Sequence, residues 1–535
     1  MSSRSSRQPG SVAPVTRRSV ISGALGLAGV AGLTGGVGGR QSTPTSTTPF
    51  GMPNVSLMRM PGFDAVRNPA MGTAWLSTLI YDSPLQGDAE GRIRSGLAVD
   101  WGTSEDGLQV DLRVRSDALF SDGTLVTAAD VAASLERCQS LESSGVAGGR
   151  WDRVDRIETV DGQVVRLSLS RPDATVLSSL ASASSPVVPR GWVDREWIGN
   201  QDGMPPGSGP FILATVNERQ VTLDRHPGYW QVGRPHLAGV VITGSSETVP
   251  RSTELVTGAV DFIVDAPLLD IPTLRDDPNL TLAGGPSNRL CLLTTNLRNG
   301  TLQDRRLRSL VSSAIDRVAL LAAAVASEGE PATGLFPPAS WVQPGAPAEP
   351  IRLSPEEVRG ELSALGYLAG LQLRLIADEA DASLANAGIL LQEQFAYAGI
   401  ALTLDLLNEA EMSAALHEGS WDLLAMYSDF WRDPDELLRP LLRVDGRANL
   451  GGYRSDRVSL LIDQATMTPY LQRRVELYQA LQGIVLSDVP IIPLFFPAYY
   501  DVMTRRISNF VAYPPVTALA MRQVRIQPPD QLSSR

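Results

Sequence analysis

The chain has 535 residues, of which 43% are hydrophobic and 19% charged, and a formal net charge of -12. That length exceeds what one core supports, so at least two packed units are expected, with the composition of a folded chain and not a disordered or fibrous one. The acidic balance argues against a nucleic-acid groove, which needs a basic face, and discourages adhesion to anionic lipid.

The first twenty residues carry arginines and no acids, and lead through Thr16-Arg17-Arg18-Ser19-Val20-Ile21 into a short apolar run to Leu33. A basic region followed by an apolar run too short for a comfortable bilayer span reads as an export signal, and the paired arginines give it a twin-arginine character. Residues 1–50 are therefore expected to be signal and linker. With no clean A-x-A site, an uncleaved tether stays open, and no cysteine follows to take a lipid anchor. No later segment is apolar enough to span a membrane, so the exported body is expected to be soluble.

Beyond residue 50, Leu108–Val114 alternates apolar and polar residues, as a half-buried strand does, and Asp122-Gly123 marks a turn. Thr127 is a helix N-cap with Asp130 closing an acidic variant of the capping box, on a helix through Arg137. Val164–Leu169 and Gln220–Leu223 read as further strands. Apolar residues recur at helical spacing from Asp304 to Val325, and later helices are expected over 356–365, 385–397 and 471–486. Prolines 337, 338, 344, 347 and 350 mark an exposed connection. This mixture indicates α/β layers in at least two lobes.

Cys138 and Cys291 each lie in an apolar stretch, so both read as buried small hydrophobes, although one bridge between them stays possible in an exported protein. His226, His236 and His417 stand alone, without HExxH or a Cys/His cluster, and no G-x-S-x-G elbow is present. A phosphate-cradling G-x-x-x-x-G-K is impossible because all 46 basic residues are arginine, for which coding bias is the plain explanation. No catalytic residue, metal or cofactor is expected.

Several segments in order resemble the extracellular solute-binding proteins of family 5, which include oligopeptide and dipeptide receptors. They are Tyr81-Asp82-Ser83-Pro84-Leu85, Leu97–Trp101 with Asp106-Gly107, and Phe120-Ser121-Asp122-Gly123-Thr124 with Thr127-Ala128-Ala129-Asp130-Val131. Gly207–Phe211, Pro227-Gly228-Tyr229-Trp230, Gly258–Asp261, and Asn296 with Asp304, Arg308 and Ala314-Ile315-Asp316-Arg317 follow. Asp433-Pro434, Asn449 and Pro490–Leu494 complete the series. His226 departs from it, standing where asparagine is usual. The resemblance implies an α/β, two-lobed periplasmic-binding-protein-like fold of type II, in the large peptide-receptor subclass, with a hinge between lobes. One lobe would comprise residues 51–289 with a return over 491–535, the other residues 290–490, and a ligand would lie between them.

In the family's peptide receptors an aspartate just ahead of Asp-Pro binds the ligand's α-ammonium; the resemblance carries this role to Asp429, although one extra residue precedes Asp433-Pro434 here. A carboxylate enclosed with an ammonium gains a charge-assisted hydrogen bond. Tyr427 and Trp431 are the candidate aromatic wall, with Phe430 and Trp421 nearby. Ile376-Ala377-Asp378-Glu379 is acidic where dipeptide receptors place an arginine, which leaves room for another solute. The resemblance thus implies a non-enzymatic peptide receptor, acting as a monomer with an ABC permease, in the periplasm or on the outer face of the cytoplasmic membrane. Its alternatives are a receptor for a nickel chelate, haem or sugar, and an interaction protein that keeps the fold without uptake.

Overall fold

The computed structural model describes residues 51–527 apart from 69, 89–91, 144–150, 198, 200–202, 246–249, 299, 338–339, 343–351, 430–432 and 513–516. The expected signal and linker, and most of the proline-rich connection, lie outside the described residues.

The strand Ile491–Thr504 organises the molecule. It is buried along nearly its whole length, and its sequence is accordingly an almost unbroken apolar run with no alternation. Its first part pairs antiparallel with Arg289–Thr295, and its last part with Leu280–Pro286 and Phe262–Ile263. Pro493 lies opposite Leu292, where the register slips, a position at which a missing N–H is tolerated. Opposite Tyr500, a Cβ on Gly284 would stand 1.9 Å from the Tyr499 carbonyl oxygen, so only glycine allows the two strands to approach this closely.

On one side of this strand, Asn54–Leu57 pairs in parallel with Phe262–Ile263 and with Gly239–Gly244, and the sheet continues through Gln220–Arg225 and Phe211–Asn217. An antiparallel sheet of Ala98–Thr103, Gln109–Val114, Val164–Leu169 and Val154–Asp161 stands beside it. The helix Ala128–Ser143 covers that sheet, its core face supplied by Val131, Leu135 and Cys138. Thr127 and Asp130 cap the helix reciprocally: each side chain accepts from the other's amide, at 2.9 and 3.3 Å.

On the other side, Leu371–Asp378 pairs in parallel with Ile400–Leu407 through the crossover helix Ala382–Tyr397, and with Leu423–Asp429. Arg289–Thr295 links that sheet to the long strand. The buried hydrophobic residues divide the same way: one set of clusters draws on residues 55–280 and 502–524, the other on residues 290–496. The fold is thus mixed α/β in two lobes. Cys138 and Cys291 are both buried and lie in different clusters, with no disulfide between them.

The expected helix over 304–325 is two helices, Arg305–Ser313 and Arg317–Val325. Asp316 breaks it by accepting from the amides of Val318 and Ala319 at 3.1 and 3.0 Å. Periodicity hid the break because both helices turn their apolar faces to one core. Among the described residues, no helix is long and apolar enough to cross a membrane.

Candidate functional site

The apolar run Leu423–Ala425 buries the start of the strand Leu423–Asp429 in its sheet, while Tyr427 and Ser428 further along are only half-buried. Register places Tyr427 opposite Cys291 and Asp429 opposite Arg289. Arg289 opens the strand Arg289–Thr295, so position 429 stands level with the start of that strand. The Asp429 side chain lies outside the described part, as do Phe430, Trp431 and Arg432.

Tyr427 is half-buried. Its hydroxyl shares a hydrogen bond of 2.7 Å with Ser383 Oγ, at the N-terminus of the helix Ala382–Tyr397. Asp381 caps that helix by accepting from the amides of Ser383 and Leu384 at 3.0 and 3.1 Å. One edge of the ring is thus tied to a helix start, while Phe495 meets it nearly edge-on at 6.4 Å. The Arg289 guanidinium lies 5.1 Å from the ring centroid, within cation–π range. Burial pushes the Tyr427 phenol well above its ordinary range, so it acts as a neutral hydrogen-bonding group.

Arg289 also reaches Asp265 of the first lobe, with 3.4 Å between Nη1 and Oδ2. Asp265 has a positive φ of 50° and is held from several sides. Its amide donates to Asp501 Oδ1 at 3.1 Å, and its carbonyl accepts from Arg251 Nη2 at 2.7 Å. A second tie between the lobes lies on the hinge side, where Arg275 makes a two-pronged pair with Glu328 at 2.7 and 2.9 Å. The site is therefore a polar seam with both signs of charge, flanked by Tyr427. Arg289 and Asp265 escaped the reading of the sequence; a lone arginine before the apolar run Leu290–Leu293 was the only signal there.

Other sequence candidates have structural employment. Trp421 is buried in a hydrophobic cluster with Ile376, Ala415 and Leu424. Asp378 accepts from the Ala380 amide at 2.9 Å and closes the turn after its strand. His226 Nδ1 bonds the Gly209 carbonyl at 2.9 Å, and burial lowers its basicity. Burial likewise pushes the Cys291 thiol well up, away from the reactive thiolate. Among the described residues no group of three His, Cys, Asp or Glu could hold a metal ion.

The family model described as bacterial extracellular solute-binding proteins, family 5 (middle), matches residues 92–449. The glutathione-binding protein GsiB of Escherichia coli (strain K12) is 25% identical over 456 residues, covering 82% of this chain and 88% of that protein. The PBP AgaA from A. tumefaciens R10, solved in complex with agropinic acid, has 26% identity and a TM-score of 0.78 over 89% of this chain and 99% of its own. The periplasmic binding protein DppA from Helicobacter pylori, in complex with peptide STSA, is similar in fold, with a TM-score of 0.77 at 18% identity over 90% of this chain and 99% of its own. These relatives are binding proteins. The chain itself belongs to the bacterial extracellular solute-binding proteins of family 5.

Proposed function

We propose that this chain is the extracytoplasmic receptor of an ABC importer, that it captures peptides between its lobes, and that Asp429 takes the ligand's α-ammonium. The observation carrying the reading is the position of residue 429, at the end of a core strand, opposite Arg289 and beside the seam to Asp265. A ligand ammonium enclosed there exchanges water for a charge-assisted hydrogen bond to a carboxylate. Tyr427 forms part of the wall and Trp431 the adjoining part. Peptide main chain is held by backbone hydrogen bonds, which tolerate many side chains. The lobe boundaries follow the crossings at 289–290 and 490–491, and the protein works as a monomer with a membrane permease.

The test is affinity. Asp429→Asn is expected to weaken a free-amino peptide by about 2–5 kcal/mol, the range for a buried charge left without its partner. N-acetylation of the peptide is expected to do similar harm to the parent protein. Unchanged affinity in isothermal titration removes Asp429 from the site.

A second reading, a small non-peptide solute, is favoured by the 26% identity to AgaA. A thermal-shift screen separates the two, because a ligand that binds only the folded state raises the melting temperature by mass action. The panel comprises free and N-acetylated peptides, glutathione, agropinic acid, nickel chelates, haem and sugars. A shift with agropinic acid and none with peptides selects the second reading, and no shift with any member points to an interaction protein.

A further inference from the structure

The lobes meet a second time, through elements far in sequence from the hinge strands. Arg153, just before the strand Val154–Asp161, is 1% exposed. Its Nη2 donates to Asp463 Oδ1 on the helix Asp456–Met467 at 3.1 Å, and the Ala174 amide donates to the Thr466 carbonyl at 2.8 Å. An arginine buried in such a contact invites description as a latch that holds the lobes shut.

Its hydrogen bonding says the opposite. Among the described residues Nε and Nη1 of Arg153 have no hydrogen-bond partner, so most of the guanidinium's N–H groups are buried unpaired there. Nor is its acceptor dependent on it. The same Asp463 oxygen bonds Arg443 of its own lobe, with Arg439 a further 3.8 Å contact. Separating the lobes therefore returns Arg153 to water and leaves Asp463 paired. Closing them strips the guanidinium of its hydration for one shared bond, and a buried donor left unpaired costs its full desolvation. Burial accordingly lowers the basicity of Arg153, and Arg439 adds repulsion, against the pull of Asp173 and Asp435.

We infer that Arg153 opposes closure, holding the empty protein toward an open form so that bound solute, and not the interface itself, shuts the lobes. The inference rests on the reading that solute binds between the lobes. Apparent affinity is then the intrinsic affinity scaled by the closed fraction, and Arg153 sets that fraction.

The experiment measures the distance between nitroxide labels at Val160→Cys and Leu460→Cys, with no solute added. These two side chains are 49% and 46% exposed on opposite lobes, whereas the native thiols are buried. Arg153→Met keeps the length and apolar stem and removes the orphaned donors, so the short-distance population is expected to rise several-fold over the parent. Asp463→Asn removes the carboxylate that touches Arg153 and is expected to lower that population, while Arg443 keeps its pair with Asp445. A fall or no change with Arg153→Met, or a rise or no change with Asp463→Asn, overturns the inference. Failure of the solute screen counts against the proposed function alone, because the distances are measured without ligand.

Discussion

Two aspartates buried to comparable depth, one from each lobe, are held in different ways. Asp82 in the first lobe is 2% exposed and Asp433 in the second 4%. Asp433 accepts from Arg474 Nη2 at 2.7 Å, and Tyr478 and the Asp435 amide share the same oxygen. Arg474 is itself enclosed, its Nε donating to the Ala465 carbonyl at 2.9 Å. Asp82 is held mainly by neutral donors: Trp230 Nε1 at 2.7 Å and Gln86 Nε2 at 2.8 Å, with the Tyr229 hydroxyl more distant at 3.5 Å. Its nearest bonded cation is one residue removed, Arg522 donating to Gln86 Oε1 at 2.8 Å. Equal burial thus conceals two regimes, direct charge pairing and solvation by dipoles, and they respond differently to mutation and to pH.

Removing one member of the direct pair breaks the comparison most severely. Asp433→Ala leaves Arg474 buried without its carboxylate, a loss of about 3–5 kcal/mol in the usual range for a broken buried pair. Urea unfolding measures it; a loss below about 1 kcal/mol contradicts the assigned pairing. The intermediate case is Arg308, a buried arginine with no carboxylate bonded to it among the described residues. It donates to the carbonyls of Leu302, Gln303, Asp488 and Val489, closing the end of the helix Leu471–Asp488. Arg308→Met strands buried carbonyls and no charge, so the expected loss is smaller, about 2–3 kcal/mol. Losses equal to those of Asp433→Ala would mean that hydrogen-bond count, not pairing of charge, governs both sites.

These same residues explain what the sequence made legible. The family-like segments are largely those in which a side chain satisfies backbone groups. Asn296 donates to the carbonyls of Gly419 and Trp421, and Asn449 joins the Arg443 carbonyl to both backbone groups of Tyr453. Asp316 starts a helix, and Arg317 donates to the Pro493 carbonyl at 2.8 Å. Such jobs fix residue type and spacing, so the fold could be read from them. The seam between the lobes had no such signature. Arg289 and Asp265 stand 24 residues apart with no motif joining them and meet only through folding, and a peptide held by main-chain bonds leaves no trace in side-chain identity. Likewise Arg153 shows its orphaned donors only when its surroundings in three dimensions are known.

The smallest effect is at Asp82 and sharpens the contrast through pH. Burial pushes its carboxyl up to about 6, partly offset by Trp230 and the arginines Arg522 and Arg115. A raised carboxyl means that the folded protein binds this proton more readily than the unfolded chain, whose value is about 3.9. The penalty for ionised Asp82 is therefore complete above pH 6, and it is relieved as pH falls toward 4. By linkage, a shift of this size corresponds to roughly 2–3 kcal/mol. Asp82→Asn removes the penalty but places an amide NH2 against one of the donors, Trp230 or Gln86, at a cost of about 1–3 kcal/mol. The two terms nearly cancel at pH 7.5, so the variant is expected to lie within about 1 kcal/mol of the parent there. At pH 4.5 most of the first term is relieved, since the folded parent is largely protonated while the unfolded chain is still partly ionised, and the parent should lead by about 1–2 kcal/mol more than at pH 7.5. Urea unfolding of both proteins at the two pH values decides it. An unchanged difference means that Asp82 carries no folding-linked proton, and the distinction between dipolar and ionic solvation of these two aspartates then loses its basis.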